Sequence, residues 1–188
     1  MESKPSPAQF KHPARLRNGQ AVLIRAIRSD DRQRIIDAFS KLDPETIYTR
    51  FFSAKRQLSE ADLARIDASD FVRAAALVAT LGEGAGEVII GAGGYTVLDR
   101  PGQPKTAELS FTIEEDYQGQ GLSGLFMRLL TQIGRECGLQ RFEAEVLAGN
   151  KAMLKVFQRS GLPLTQQSED GVVHVGMDLD PLAPRTDA

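Results

Sequence analysis

The clustering of apolar residues divides most of the chain into strands and helices. Short segments rich in valine, isoleucine and other apolar residues, bounded by glycine, proline and charged residues, predict strands. They cover residues 21–27, Ala74–Leu81, residues 88–98, Thr106–Ile113, Arg141–Leu147 and residues 172–177. Turns at residues 82–86 and 100–102 separate the second, third and fourth of these strands, which predicts an antiparallel meander.

Apolar residues spaced three and four positions apart predict helices between these strands. The longest such pattern spans residues 122–137, and a shorter one begins after Asn150 as its N-cap and stops at Gly161. Further helical segments are predicted after Ser29 or Asp30, from about Pro44, and around Leu63 and Ile66. Both ends of the chain are rich in proline and poor in apolar residues, so we expect residues 1–14 and 181–188 to be mobile around one domain at residues 15–180.

Composition narrows the class of protein. The chain has 188 residues, of which 41 % are hydrophobic and 26 % charged, and its formal net charge is −2. These values are typical of a soluble domain and argue against general affinity for nucleic acid. No segment resembles a membrane span or a signal peptide, so we expect a cytoplasmic protein with no membrane partner. The two histidines, His12 and His174, are too few to predict a metal site.

A glycine-rich loop lies between the strand Thr106–Ile113 and the helix of residues 122–137. Its sequence is Gln118-Gly119-Gln120-Gly121-Leu122-Ser123-Gly124. Glycines at such a junction let consecutive backbone N–H groups converge, and the positive end of the helix dipole adds to them. The loop therefore predicts a site for a ligand that carries phosphate.

One interpretation of the loop is a dinucleotide site. Gly119, Gly121 and Gly124 satisfy the G-x-G-x-x-G pattern, and Glu143 and Glu145 follow at about the distance of a ribose-binding acid. Against this interpretation, acidic residues separate the strand from the loop. About two-thirds of the chain also precedes the loop, and too little follows it for a doubly wound sheet.

The other interpretation is a coenzyme A pyrophosphate loop. Gln118-x-x-Gly121-x-Ser123 resembles the Arg/Gln-x-x-Gly-x-Gly/Ala signature of the GNAT acyltransferase superfamily, although Ser123 stands where the family has glycine or alanine. The order of predicted elements over about residues 22–179 is also similar to that family. The segment 42–52 looks like a segment found in the acetyltransferase domains of bacterial protein lysine acetyltransferases that modify acyl-CoA synthetases. The resemblance implies a mixed α+β GNAT fold, with a mostly antiparallel sheet that splays into a V and is flanked by helices.

The resemblance also implies an N-acetyltransferase that uses acetyl-CoA as co-substrate, without a metal. Its acceptor is a primary amine, with a protein lysine among the candidates, attacked directly in a ternary complex. The pattern does not predict an oligomeric state. The residues that would bind the cofactor are Phe111, Thr112, Ile113, Gln118, Gly119, Gln120, Gly121, Leu122, Ser123, Gly124, Asn150 and Phe157.

Two positions bear on catalysis. Glu108 matches the glutamate that serves as general base in these lysine acetyltransferases, while the strand pattern alone makes it an exposed residue on a polar face with Ser110 and Thr112. Phe157 stands where many relatives have a tyrosine that protonates the departing thiolate, and phenylalanine has no proton to give. The alternative function is therefore a non-catalytic module that binds or senses acyl-CoA.

Overall fold

The computed structural model describes Ser6, residues 9–67 without the side chains of 65–67, and residues 69–179. Eight strands form one sheet in the order β1-β2-β3-β4-β5-β6-β8-β7. The strands are β1 (Lys11–Arg15), β2 (Ala21–Ala26), β3 (Ala74–Leu81), β4 (Val88–Val97), β5 (Thr106–Ile113), β6 (Arg141–Leu147), β7 (Leu164–Glu169) and β8 (Val172–Asp178). The predicted meander is confirmed, because β3, β4 and β5 pair antiparallel. Among the paired strands only β5 and β6 run parallel.

The helices connect and cover the strands. They are α1 (Arg32–Lys41), α2 (Pro44–Phe51), α3 (Glu60–Asp67), α4 (Leu122–Glu136) and α5 (Lys151–Gln158). The amphipathic helix α4 packs on β3, β4 and β5, and α5 packs on α4. None of the described helices is long and apolar enough to cross a membrane.

The core lies between α4 and the sheet. Phe126 of α4 is fully buried and stacks on Phe111 of β5 at 6.2 Å between ring centroids. Gly93 of β4 makes this close approach possible, because a Cβ there would lie 2.8 Å from the Phe111 ring and 2.9 Å from that of Phe126. The missing side chain therefore sets the distance between α4 and the sheet.

Two strands depart from the sequence prediction. Residues 11–14, expected to be mobile, belong to β1, which pairs with β2 from Lys11↔Arg25 to Arg15↔Ala21. The sequence of β1 conceals this, since Pro13 and the basic residues give no apolar alternation. Strand β7 was not predicted either, because its residues are polar and largely exposed and backbone pairing with β8 holds it. The segment 181–188 lies outside the described residues.

The sheet splays between β5 and β6. These strands pair only from Thr106↔Arg141 to Glu108↔Glu143. Beyond Glu108, β5 stays paired with β4 as far as Ile113. Its other edge has no strand partner in the described part of the chain, and a groove opens there.

Candidate active site

A groove of about 2210 Å³ runs along this opening. Its walls come from β5, the glycine-rich loop, one side of α4, the end of β6, helix α5, helix α2, strand β1 and the β1–β2 turn. Every predicted cofactor-binding residue belongs to the lining, as does Glu108. The structure thus brings the residues that sequence reasoning selected to one place.

The glycine-rich loop offers unused hydrogen-bond donors to this groove. Within the described residues, the backbone N–H groups from Gly119 to Gly124 donate to no protein acceptor. Gly119 and Gly121 have φ angles of 71° and 96°, in the left-handed region that favours glycine. Space at Gly119 and Gly124 is open, with no heavy atom within 4 Å of where a Cβ would lie. Free N–H donors at the N-terminus of a helix are able to bind an anion.

Two neighbouring segments hold the loop in place. The Gln118 side chain donates through Nε2 to the Ile113 carbonyl at 3.1 Å and to Thr46 Oγ1 of α2 at 3.2 Å. From the β1–β2 turn, the Arg17 backbone N–H donates to the Gln120 carbonyl, and the Asn18 N–H donates to Gln120 Oε1. The loop is therefore held by the Gln118 amide on one segment and by the β1–β2 turn on the other.

Glu108 lies where β5 and β6 part. Its side chain is exposed and makes no hydrogen bond or ion pair with any described residue. It lines the large groove and also a second one of about 590 Å³ along β6, β7 and β8. A carboxylate at the junction of two grooves, without a protein partner, is free to accept a proton from a group that enters either of them.

The neighbouring carboxylates are placed differently. Glu143, beside Glu108 in the parallel pair, accepts two hydrogen bonds at 3.0 Å from Arg100. Glu145 is exposed and faces His174 at 3.4 Å between Oε1 and Nδ1. Glu145 lines both grooves as Glu108 does, which makes it the second candidate base.

Comparison with known proteins identifies this arrangement. A family model described as an acetyltransferase (GNAT) domain matches residues 21–163. The chain belongs to the GNAT acetyltransferase family. The splayed, mostly antiparallel sheet confirms the expected GNAT fold, and it excludes the doubly wound parallel sheet of the dinucleotide interpretation.

Several relatives are similar over most of this GNAT chain. Acetyltransferase Pat of Mycolicibacterium smegmatis is 32 % identical over 174 residues, which cover 90 % of the chain and 49 % of Pat. The chain thus spans about half the length of that relative. Acetyltransferase PA5475 of Pseudomonas aeruginosa is 33 % identical over 73 % of each chain. Among solved structures, the GNAT domain of S. lividans PAT is 32 % identical, with a TM-score of 0.81 over 93 % of this chain and 99 % of that one.

Two predicted cofactor residues of the GNAT domain have structural roles as well. Asn150 is the N-cap of α5, since its Oδ1 accepts the Met153 N–H at 3.1 Å, and its side-chain amide nitrogen has no acceptor among the described residues. Phe157 is 2 % exposed and packs on Phe111 at 6.1 Å between ring centroids. Its ring belongs to the apolar core beneath the groove.

No tyrosine stands at the position where many GNAT relatives have one that protonates the leaving group, since residue 157 is phenylalanine. Tyr95 is buried and its hydroxyl donates to the Phe71 carbonyl at 2.9 Å. Tyr117 does not line the groove, whereas the half-exposed Tyr48 of α2 does. Among the described residues, no group of three or more His, Cys, Asp or Glu side chains is arranged to hold a metal ion.

Sequence reasoning missed Arg17 and Thr46, which touch the loop from distant segments. A signal for the first was present. Asn18-Gly19 is a typical pair for a turn, and it lies in residues 16–20 between β1 and β2. The hairpin carries Arg17 to Gly119, where Arg17 Nη1 donates to the carbonyl at 2.9 Å.

Proposed function

We propose that this GNAT domain is an acetyl-CoA-dependent N-acetyltransferase that acts on a protein lysine, with Glu108 as general base. One observation carries the proposal. The unpaired edge of β5, the free N–H groups of residues 119–124 and the unpartnered carboxylate of Glu108 share one groove. Together they offer a phosphate site, an extended backbone and a base in the order that an acyl-CoA and an amine require.

The groove fits the two halves of acetyl-CoA differently. Donors of the loop suit the pyrophosphate, because left-handed glycines and the start of α4 leave open space in front of them. The edge of β5 from Leu109 to Ile113 suits the amides of the pantetheine arm, since an extended amide chain can pair with a free strand edge. A backbone N–H on this edge would also polarise the thioester carbonyl.

Glu108 supplies what the acceptor amine needs. A lysine amine with a pKa of about 10.4 is neutral in only about one molecule of 2,500 at pH 7. A carboxylate that accepts its proton, directly or through one water, removes up to about 4 to 5 kcal/mol of that barrier. Since Glu108 has no protein partner among the described residues, no ion pair must break before it acts.

The leaving thiolate has less help. Phe157 has no proton to give, and Tyr95 is hydrogen-bonded in the core. A thiol has a pKa of about 8.5, so its thiolate is a tolerable leaving group that can take a proton from water. We therefore assign no general acid to this reaction.

A protein acceptor suits the open shape of the site. The outer wall of the groove includes α2 and its C-cap Phe52, where Tyr48 is 50 % and Phe52 37 % exposed. The Arg50 guanidinium lies on the Phe51 ring, 5.0 Å from its centroid, at the same rim. The likeness of residues 42–52 to bacterial protein lysine acetyltransferases supports the same class of acceptor. On the composition of the chain, we propose that this reaction takes place in the cytoplasm.

The second candidate function is a non-catalytic acyl-CoA-binding module. It is favoured by Phe157, which replaces the proton donor of many relatives with a core side chain. Such a module would bind acetyl-CoA in the same groove and transfer nothing.

Glu108→Gln separates the two functions. The substitution keeps the shape of the side chain and removes its basicity, so we expect acetyl-CoA affinity by calorimetry to persist while kcat falls roughly 10²- to 10⁴-fold. The acceptor is found first, by mass spectrometry of lysate proteins incubated with labelled acetyl-CoA. Glu145→Gln tests the second candidate base, and Glu169→Gln on exposed β7 is the matched control.

Each outcome decides between the proposals. Wild-type binding without transfer to any lysate protein supports the non-catalytic module. Near-normal turnover by Glu108→Gln with a large loss in Glu145→Gln moves the base to β6. Absence of coenzyme A binding to the wild type would overturn the function altogether.

A further inference from the structure

We propose that Arg17, on the turn between β1 and β2, is a binding residue for the pyrophosphate of coenzyme A. The inference rests on the proposed function, since it assigns a cation to the same groove. It adds the N-terminal hairpin to a site that the sequence pattern confines to β5, the loop, α4 and α5.

The loop itself brings no positive side chain to its anion site. Its residues from Gln118 to Gly124 are all uncharged, and the first cation on α4 is Arg128, in the second turn. The Gln118 amide is engaged with Ile113 and Thr46. Backbone donors alone would therefore face a pyrophosphate, which carries two negative charges at neutral pH.

Arg17 stands beside those donors. Its Nη1 donates to the Gly119 carbonyl at 2.9 Å, and its Nε lies 3.8 Å from where a Cβ on Gly121 would be. Both the side chain and the loop line the groove. The remaining guanidinium N–H groups have no acceptor within the described part of the chain, and no carboxylate there pairs with Arg17.

Backbone hydrogen bonds fix the position of the turn that carries Arg17. The Arg17 N–H donates to the Gln120 carbonyl at 3.2 Å, and the Asn18 N–H donates to Gln120 Oε1 at 3.1 Å. The hairpin is thus docked on the loop by its backbone, independently of the Arg17 side chain. A guanidinium presented from a docked turn needs little ordering when it binds phosphate, and its planar fork matches two phosphate oxygens.

Arg17→Gln tests the assignment, with Lys11→Gln as the matched control. Lys11 is an exposed cation on the same hairpin, but it does not line the groove. Calorimetry measures the Kd of coenzyme A and of dephospho-coenzyme A, which lacks only the 3′-phosphate, at low and high salt. Thermal unfolding without ligand checks that both variants fold as the wild type does.

We expect Arg17→Gln to weaken both ligands by a similar factor, about ten- to a hundredfold, because they share the pyrophosphate. The loss should shrink at high salt, since an exposed ion pair is screened. Lys11→Gln should change either Kd by less than about threefold. Arg17→Lys, which keeps the charge and loses the fork, should lie between the wild type and Arg17→Gln.

Three results would overturn the inference. Arg17→Gln with wild-type affinity shows that the guanidinium only braces Gly119. A loss confined to coenzyme A assigns Arg17 to the 3′-phosphate, and a loss that salt does not change makes it a brace of the loop. Failure of the proposed function is distinguishable from all three. A wild type that does not bind coenzyme A would bind neither ligand, and a protein that binds it without catalysis would leave these Kd comparisons unchanged.

Discussion

Two charged regions of the molecule differ in how their polar groups are paired. The closed region consists of Arg25, Asp31 and Glu87, and the open region consists of Glu108 and the N–H groups of residues 119–124. Between β2 and α1, Arg25 and Asp31 are 2 % and 0 % exposed and form two hydrogen bonds of 2.6 and 2.7 Å. Glu87 accepts from Arg25 Nε at 2.8 Å. Around the groove, Glu108 and the N–H groups of residues 119–124 have no partner among the described residues.

The difference separates polar groups that stabilise the fold from polar groups that, under the proposed function, bind a ligand. Burial by itself would raise the pKa of Asp31, but hydrogen bonds from Arg25 and from the Arg28 N–H outweigh it and hold this pKa below its usual value. The hydrogen bond from Arg25 likewise lowers the pKa of Glu87. A buried charge with every partner in place is rigid, whereas the open groove leaves its hydrogen bonds to be made on binding.

The largest effect is expected from Asp31→Asn, which breaks the closed region. The substitution keeps the size of the side chain but leaves the Arg25 charge buried with one carboxylate fewer. We expect the free energy of unfolding to fall by about 3 to 5 kcal/mol, measured by denaturant titration. Asp30→Asn is the control, because Asp30 is 69 % exposed and should cost less than about 1 kcal/mol. Equal small losses would show that the buried pair is not a principal contributor.

Ser123→Glu is expected to weaken coenzyme A binding in the open region without destabilising the fold. A carboxylate in the first turn of α4 interacts favourably with the helix dipole, so unfolding should become harder by about 0.3 to 1 kcal/mol or stay unchanged. The same charge repels pyrophosphate, and the Kd of coenzyme A should rise at least about a hundredfold by calorimetry. Ser168→Glu, exposed on β7 away from the groove, should leave that Kd unchanged. Intact binding by Ser123→Glu would place the pyrophosphate elsewhere.

Two glycines, one in the apolar core beneath α4 and one at the groove, extend the comparison of closed and open parts of the molecule. A Cβ at Gly93 would lie under 3 Å from the Phe111 and Phe126 rings, so Gly93→Ala should destabilise the fold by about 1 to 3 kcal/mol. Gly124 lies within α4 and has open space, so Gly124→Ala should stabilise the free protein by about 0.5 to 1 kcal/mol. Denaturant titration of both variants checks the opposite signs. A loss of stability in Gly124→Ala would contradict the open space at the loop.

Much of the fold could be predicted from the sequence because its central elements have strong periodic patterns. The apolar runs of β3 and β4, the alternation in β5 and β6 and the 3.6-residue pattern of α4 follow from burial against a core. Strands β1 and β7 lack such a pattern, since they lie at the two ends of the sheet and gain their order from backbone pairing. Their sequences record little of that pairing.

The site divides in the same way. Glycines 119 and 121 could be selected because a strand, a glycine loop and a helix follow one another along the chain. Arg17 reaches the loop across 102 positions, and no local pattern records a contact at that separation. The resemblance of Glu108 to a family glutamate predicted a general base. Its position at the groove follows from the end of β5–β6 pairing at this residue, which the sequence does not reveal.

The smallest effect concerns the acid sensitivity of the closed region. The pKa of Glu87 is lowered in the folded state, so the unfolded chain takes up a proton there first as the pH falls. The stability that this carboxylate contributes is present above the unfolded pKa of about 4.3 and is lost as the pH falls through the lower folded value. Unfolding free energies measured between about pH 6 and pH 3 should therefore fall more steeply in the wild type than in Glu87→Gln. Glu83→Gln, at an exposed position without an ion pair among the described residues, should keep the wild-type slope. Parallel profiles for the wild type and Glu87→Gln would mean that Glu87 gains nothing from Arg25 on folding.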